Sequence, residues 1–253
     1  LANTTQKTLV SLMHVNNEIG NILDLKRAAV LCKKYDTLFH SDTVQSIGHY
    51  HLDFKDIPID FAAVAAHKFH GPKGAGFAFV RKNSGIRPMI VGGAQERGMR
   101  AGTEPVYAIV GMVEALKISY KNLAQEKTHI TGLKDYFKES LVKEIPEIQF
   151  NGQCDDNDNS SYTVLNVCIP VSPEKGTMLL FQLDLKGIAC SKGSACQSGA
   201  SNGSHVLSEI LNNEDLAKPS IRFSFSSFNT KDEIDYVVKT LTTFVKPGNV
   251  LEH

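Results

Sequence analysis

Short apolar runs that each close on polar side chains, with a helical stretch or a turn between them, constrain this fold more than any other feature. Thr8 to Met13 reads as a strand. A helix follows from the N-cap candidate Asp24 to Tyr35, with Leu25, Ala28, Ala29 and Cys32 on one face. Thr37 to His40, Phe61 to Ala66 and Phe77 to Val80 read as further strands, the last after the turn Gly71-Pro-Lys-Gly74. Alternation of this kind calls for crossover units and an open, largely parallel sheet. Ligands of such sheets sit beyond the carboxyl ends of the strands. Asn17, Asp42 and Lys68 fall just there.

Past Pro105 the pattern changes. Val106, Ile109, Val110, Val113, Leu116, Tyr120 and Leu123 keep helical spacing, and Ile130, Leu133, Phe137, Leu141 and Ile145 repeat it up to Pro146. A polar loop, Gln153 to Ser161, leads into a second unit. Its expected elements are a strand Thr163–Ile169, a helix Glu174–Leu185, a strand Gly187–Cys190, a helix Ser204–Leu211 and a strand Ser220–Ser224. The last helix opens on a capping box, Thr230-x-x-Glu233. These elements make a smaller α+β domain. With 253 residues, 42% hydrophobic, the chain has core enough for one large domain or two smaller ones.

Several function classes fall away on composition. Formal charge is zero, which argues against direct nucleic-acid binding and against a polybasic membrane surface. No apolar run has bilayer-spanning length. Five cysteines (Cys32, Cys154, Cys168, Cys190 and Cys196) include no CxxC pair, so a reducing, cytoplasmic location is expected and no structural metal. The glycines of Gly71-Pro-Lys-Gly-Ala-Gly76 lack the lysine–hydroxyl pair of a nucleotide loop. Ser172-Pro-Glu-Lys175 matches S-x-x-K but opens a helix, where capping explains it. The start, which runs almost directly into a strand, predicts a shortened N-terminus. Leu251-Glu252-His253 reads as a tag scar and is set aside.

The residues with chemistry to offer are Asp42, Gln45 and Lys68. A lysine can hold an aldehyde cofactor covalently, and a carboxylate facing a pyridine nitrogen keeps it protonated, making the ring an electron sink. On spacing alone such residues at strand ends are ordinarily solvated or capping groups, and His67 is ordinarily a surface histidine. Their surroundings change that weighting. His14-Val-Asn-Asn-Glu-Ile-Gly20, His40-Ser-Asp-x-x-Gln45, Ala66-His-Lys-Phe-His-Gly-Pro-Lys-Gly74, Gly92-Gly-Ala-Gln-Glu-Arg-Gly-Met-Arg-Ala-Gly-Thr103, Lys192-Gly-Ser-Ala-Cys196 and Ile221-Arg-Phe-Ser224 resemble, in order and spacing, the cysteine desulfurases of the class V aminotransferase group.

That resemblance, covering Thr8 to Val245, implies a fold-type I, pyridoxal-phosphate-dependent transferase with an α/β fold. Residues 1–122 would be the C-terminal part of a cofactor-binding large domain with a mostly parallel sheet. Residues 123–250 would be the small C-terminal domain carrying the cysteine loop. Lys68 matches the Schiff-base lysine, Asp42 the partner of the pyridine nitrogen, and Gln45 the partner of the ring hydroxyl. Asn17 matches an asparagine near that hydroxyl and the substrate. His67 matches a phosphate contact and stands beside Lys68 among the catalytic candidates. Thr103 matches the residue that reaches the phosphate of a neighbouring protomer's cofactor, which implies a homodimer. Arg222 matches the arginine that binds the substrate carboxylate through its planar fork.

Cys196 matches the nucleophile, which needs thiolate character and access. Cys32 and Cys168 read as small buried hydrophobes, Cys154 as incidental, and Cys190 as structural, with a disulfide to Cys196 as the alternative. The implied reaction turns L-cysteine into L-alanine and leaves a persulfide on Cys196. The sulfur would pass to an acceptor or scaffold protein for iron–sulfur cluster assembly or tRNA thiolation. Two departures stand out. Ala65 replaces the family's usual phosphate-binding hydroxyl, and the family's N-terminal part has no counterpart here. Two other readings share most of these residues: a selenocysteine lyase or other class V aminotransferase, and an inactive fragment with a dimerisation or binding role.

Overall fold

The computed structural model describes residue 1 and residues 6–193 and 203–246. Packing separates two units: Leu1–Val15 with Leu23–Leu123, and Asn16–Ile22 with Ala124–His253.

The first unit is built on β1 (Leu9–Met13), α1 (Leu25–Lys34), β2 (Leu38–Asp42), β3 (Phe61–Ala65) and β4 (Gly76–Val80). The sheet order is β1-β2-β3-β4. β1, β2 and β3 run parallel, with Met13 opposite Asp42 and Asp42 opposite Ala63. β4 returns antiparallel, as it must, since Ala66–Ala75 is too short for a crossover. The helix α1 is the crossover between β1 and β2. Asp24 caps it by accepting from the Arg27 N–H at 2.9 Å, and Lys33 and Lys34 occupy its last turn, where the helix dipole favours cations. Its apolar stripe of Leu25, Ala29 and Cys32 packs with Phe39, Ile57, Ile59 and Ala62.

The two helical patterns on either side of Leu123 are one continuous helix, α2 (Val106–Glu144). No proline interrupts it. Pro105 precedes its first residue, where a fixed φ suits helix entry, and Pro146 follows its end. The division between the units falls within this helix. No helix of the described residues is long and apolar enough to cross a membrane.

The second unit holds an antiparallel sheet of β5 (Gln149–Asn151), β6 (Val164–Cys168) and β7 (Ser220–Ser224), in that order. All five residues of β6 are buried, which explains its nearly unbroken apolar sequence. The one polar residue, Asn166, is fully committed. It accepts from the Asn151 side chain at 2.8 Å and donates to the Glu18 carbonyl at 3.1 Å. Asn151 in turn donates to Ser220 at 3.0 Å. From α2, Phe137 meets Phe223 and Phe225 edge-on, with ring centroids 5.0 and 5.9 Å apart. Lys134, only 1% exposed, donates to the Ser161 carbonyl at 2.7 Å and to Ser160 at 3.0 Å. Burial lowers its pKa to about 8.

Where the structure departs from the expected elements, side chains compete with the backbone. The helix expected over Glu174–Leu185 is split at Met178 into α3 (Pro173–Thr177) and α4 (Leu179–Leu185). Gly176 and Thr177 are weak helix formers, and the Thr177 hydroxyl takes the Glu174 carbonyl at 2.7 Å. Ser172 caps α3 through the Lys175 N–H. Gly187–Cys190 is no strand. Gly187 turns left-handed (φ 74°) to close α4, and pairing starts only at Ser191. The helix expected over Ser204–Leu211 shrinks to a 3-10 turn at Leu207–Glu209, followed by the short α5 (Asn213–Ala217) capped by Asn212. The last helix, α6 (Lys231–Val245), carries the expected capping box of Thr230 and Glu233.

Candidate active site

Lys68 lies in a 3-10 turn, Ala66–Phe69, entered directly from β3. It is half-buried, and its ammonium has no hydrogen bond or ion pair among the described residues. Its carbonyl lies 3.0 Å from the His49 Nε2. The turn ends at His70 in the left-handed region (φ 64°). A tight fit holds it in place: a Cβ on Gly48 (φ 85°) would come within 2.7 Å of the Phe69 side chain. Only glycine allows the two turns to press together this closely. His67 is exposed on the same turn, and Ala65, half-buried, closes β3 without a hydroxyl.

Asp42 is the last residue of β2 and half-buried. Its Oδ1 accepts from the Val44 N–H at 2.9 Å, so the carboxylate is oriented by the chain that follows it. Thr43 locks that turn to β3, its hydroxyl donating to the Ala63 carbonyl at 2.9 Å. Gln45 sits half-buried in the same turn. Asp42, Gln45, His67 and Lys68 therefore gather at the carboxyl ends of two neighbouring parallel strands. Thr103 is exposed on the segment before α2, and no hydrogen bond ties it to them among the described residues.

In the second unit, Arg222 occupies the middle of β7 and donates from Nη1 to the Asn17 carbonyl at 2.8 Å. Its backbone exchanges two hydrogen bonds with Ser191, at 2.7 and 3.3 Å. Cys196 lies outside the described residues. Cys190 is partly buried, and burial raises its thiol pKa to about 11, so it is a poor nucleophile. Cys32 and Cys168 are buried. The same is true of Cys154, whose backbone carbonyl accepts from Lys138.

Two histidines escaped the sequence reading of roles. His49 carries no distinguishing signal in sequence. His14 stood inside a quoted motif, yet only the fold shows it to be 6% exposed. Its N–H donates to the Asp42 carbonyl at 2.9 Å, and its ring meets Tyr50 edge-on at 6.0 Å. Burial lowers its pKa from 6.5 to about 4. The unfolded chain binds this proton at about 6.5 and the folded one does not. The stability tied to a neutral His14 is therefore complete above pH 6.5 and lost as pH falls toward 4. A His14→Gln variant should lose up to about 3 kcal/mol of acid-induced destabilisation relative to wild type. Urea unfolding at pH 7 and pH 4.5 measures it, and parallel losses in both proteins would remove His14 as the cause.

The model of the family described as aminotransferase class-V matches residues 2–237. A cysteine desulfurase IscS from Dictyoglomus turgidum is 37% identical over 94% of this chain, and one from Clostridium botulinum is 39% identical over 96%. The chain spans 59% and 60% of the length of these two relatives. A solved NifS-like protein from Rickettsia africae superposes with a TM-score of 0.82 at 30% identity, over 96% of this chain and 63% of that one. With the model matching nearly end to end, and with a mostly parallel sheet of this kind beneath it, the chain belongs to the aminotransferase class-V family.

Proposed function

We propose that the whole protein is a pyridoxal-phosphate-dependent cysteine desulfurase. It converts L-cysteine to L-alanine, leaves a persulfide on Cys196 and hands the sulfur to an acceptor or scaffold protein. Iron–sulfur cluster assembly or tRNA thiolation would use that sulfur. The observation that carries the reading is Lys68, its ammonium uncommitted among the described residues, at a strand end beside the one that Asp42 terminates in an oriented carboxylate. The relatives named cysteine desulfurase support the choice of substrate.

The donor set fits the cofactor. An amine with no bond among the described residues suits its aldehyde, a fixed carboxylate suits its ring nitrogen, and Gln45 and Asn17 would suit its ring hydroxyl. His67 would contact its phosphate, while Thr103 would reach the phosphate of the other protomer in a homodimer. Ala65 removes one phosphate hydrogen bond, a modest loss. When bound, the cofactor supplies a ring that withdraws electrons from the substrate's α-carbon. Lys68 would hold the aldehyde and carry the α-proton on Nζ. Asp42 would keep a proton on the ring nitrogen, and Arg222 would bind the substrate carboxylate. The Cys196 thiolate would attack the substrate sulfur, the S–S bond forming as the Cβ–S bond breaks, and the electron pair left on the substrate carbon would take up a proton to give alanine. Residues 1–122 would then be the C-terminal part of the large domain and residues 123–250 the small domain, in a cytoplasmic protein.

The full-length protein, given pyridoxal phosphate and L-cysteine, should form alanine and a persulfide that peptide mass spectrometry places on Cys196. Cys196→Ala should lose the persulfide and keep the cofactor's absorbance. Undiminished sulfide release in that variant, or no alanine from the wild type, would overturn the reading.

A further inference from the structure

Asp42 and Lys68 stand on neighbouring strand ends, but a sheet alone does not fix the separation of two residues at its rim. The chain leaving Asp42 supplies that constraint. It turns at once, the Ser46 and Ile47 N–H groups both donating to the Thr43 carbonyl at 3.0 Å. It turns again as the His49 and Tyr50 N–H groups donate to the Ser46 carbonyl at 3.0 and 2.9 Å. Thr43 and Ser46 are fully buried, and the Ser46 hydroxyl adds a bond to the Thr43 carbonyl at 3.1 Å. Residues 43–50 are therefore a stiff brace, its buried polar groups satisfied from within.

The brace comes back to the lysine. Gly48 meets Phe69 with no room for a Cβ, and Phe69 shares an apolar cluster with Ile47, Val64 and Met112. The His49 Nε2 lies 3.0 Å from the Lys68 carbonyl oxygen. A carbonyl can only accept, so Nε2 carries the hydrogen and donates it. His49 thus grips the backbone of Lys68 and leaves the ammonium alone. On its other side the lysine turn is closed by the Gly71 N–H, 2.9 Å from the Ala66 carbonyl.

Resting on the desulfurase reading, we propose that His49 is a positioning residue for Lys68. Its imidazole sets the separation of the lysine from Asp42, which sits at the other end of the same brace. That separation matters because the cofactor's aldehyde and ring nitrogen belong to one flat ring. A lysine displaced by about 1 Å loses the alignment on which group and proton transfer depend. An imidazole suits the task, since a ring with two torsions gives up less freedom on being fixed than a long flexible donor.

The test compares His49→Phe, which keeps a ring and loses the donor, with His49→Gln, whose side-chain nitrogen reaches the same place, both in the full-length protein. In the apo-protein, hydrogen exchange followed by mass spectrometry reads the amides of residues 66–71. His49→Phe should speed exchange there about fivefold, the factor for one ordinary hydrogen bond lost, and leave β2 and β3 at the wild-type rate. After pyridoxal phosphate is added, the borohydride-fixed adduct on Lys68 should form about fivefold more slowly in His49→Phe. The kcat for alanine formation should fall about tenfold with KM for cysteine unchanged, because the bond touches no group proposed to hold the substrate. His49→Gln should stay within about twofold of wild type in every rate. Unchanged exchange at 66–71 in His49→Phe, or exchange rising equally through β2 and β3, would overturn the proposal. So would a raised KM with kcat intact, or a Gln variant as damaged as Phe. Should His49→Phe fail to fold, His49→Asn, whose amide stops short of the carbonyl, takes its place against His49→Gln. Exchange needs no cofactor. A wild type that forms neither adduct nor alanine would end the desulfurase reading and leave exchange to judge the grip of His49.

Discussion

Lys68→Ala is expected, on the proposed desulfurase function, to lower alanine formation from L-cysteine by roughly 10³-fold, the scale on which a positioned proton carrier acts. A borohydride-fixed cofactor adduct should map to this residue in the wild type and be absent from the variant. Lys68→Arg should not rescue, since a guanidinium does not release its proton at accessible pH. Stability is the control. The Lys68 ammonium makes no bond among the described residues, and its turn is held through the backbone and by Phe69 against Gly48. Thermal unfolding of the apo-protein should therefore move little. An adduct surviving in Lys68→Ala, mapped to another lysine, would remove Lys68 from its role.

The largest loss of stability is expected from Phe137→Ala. Phe137 is 1% exposed and packs on two rings of the β7 region. Truncation forfeits its burial and both edge-on contacts, and a cavity among aromatic neighbours collapses poorly. About 4 kcal/mol should be lost from the second unit. Urea unfolding followed by near-ultraviolet circular dichroism reports it. A loss below about 1 kcal/mol would mean that the neighbours refill the space.

How far the sequence could be read depended on which forces were local. Asp24 and Thr230 announced their helices because a cap is a contact between near neighbours in sequence. β7 could be bounded at Ser220 and Ser224 because alternation and flanking polar residues agree there. The parallel strand ends bearing Asp42 and Lys68 followed from alternation alone. Gly187–Cys190 misled, since an apolar run after a left-handed glycine looks like a strand until its lack of pairing is seen. Lys134 and Glu18 were invisible as buried groups, because burial of a charged side chain is decided by distant partners: Ser160 and Ser161 for one, Ser204 for the other. The arginine's hold on Asn17, 205 positions away, likewise exists only once the chain is folded.

Asn166 has a consequence beyond its own bonds. Strands slide in steps of one residue, and each step turns every side chain to the opposite face. Were β7 to dock one place out, Ile221 or Phe223 would stand where the guanidinium belongs. The same slip would break the Asn151–Ser220 bond, the one in this chain of amides that reaches β7, an error that costs about as much as a lost core contact. The asparagine ladder thus acts as a proofreader of strand alignment, rejecting at the moment of folding those arrangements that would leave Arg222 facing the wrong way.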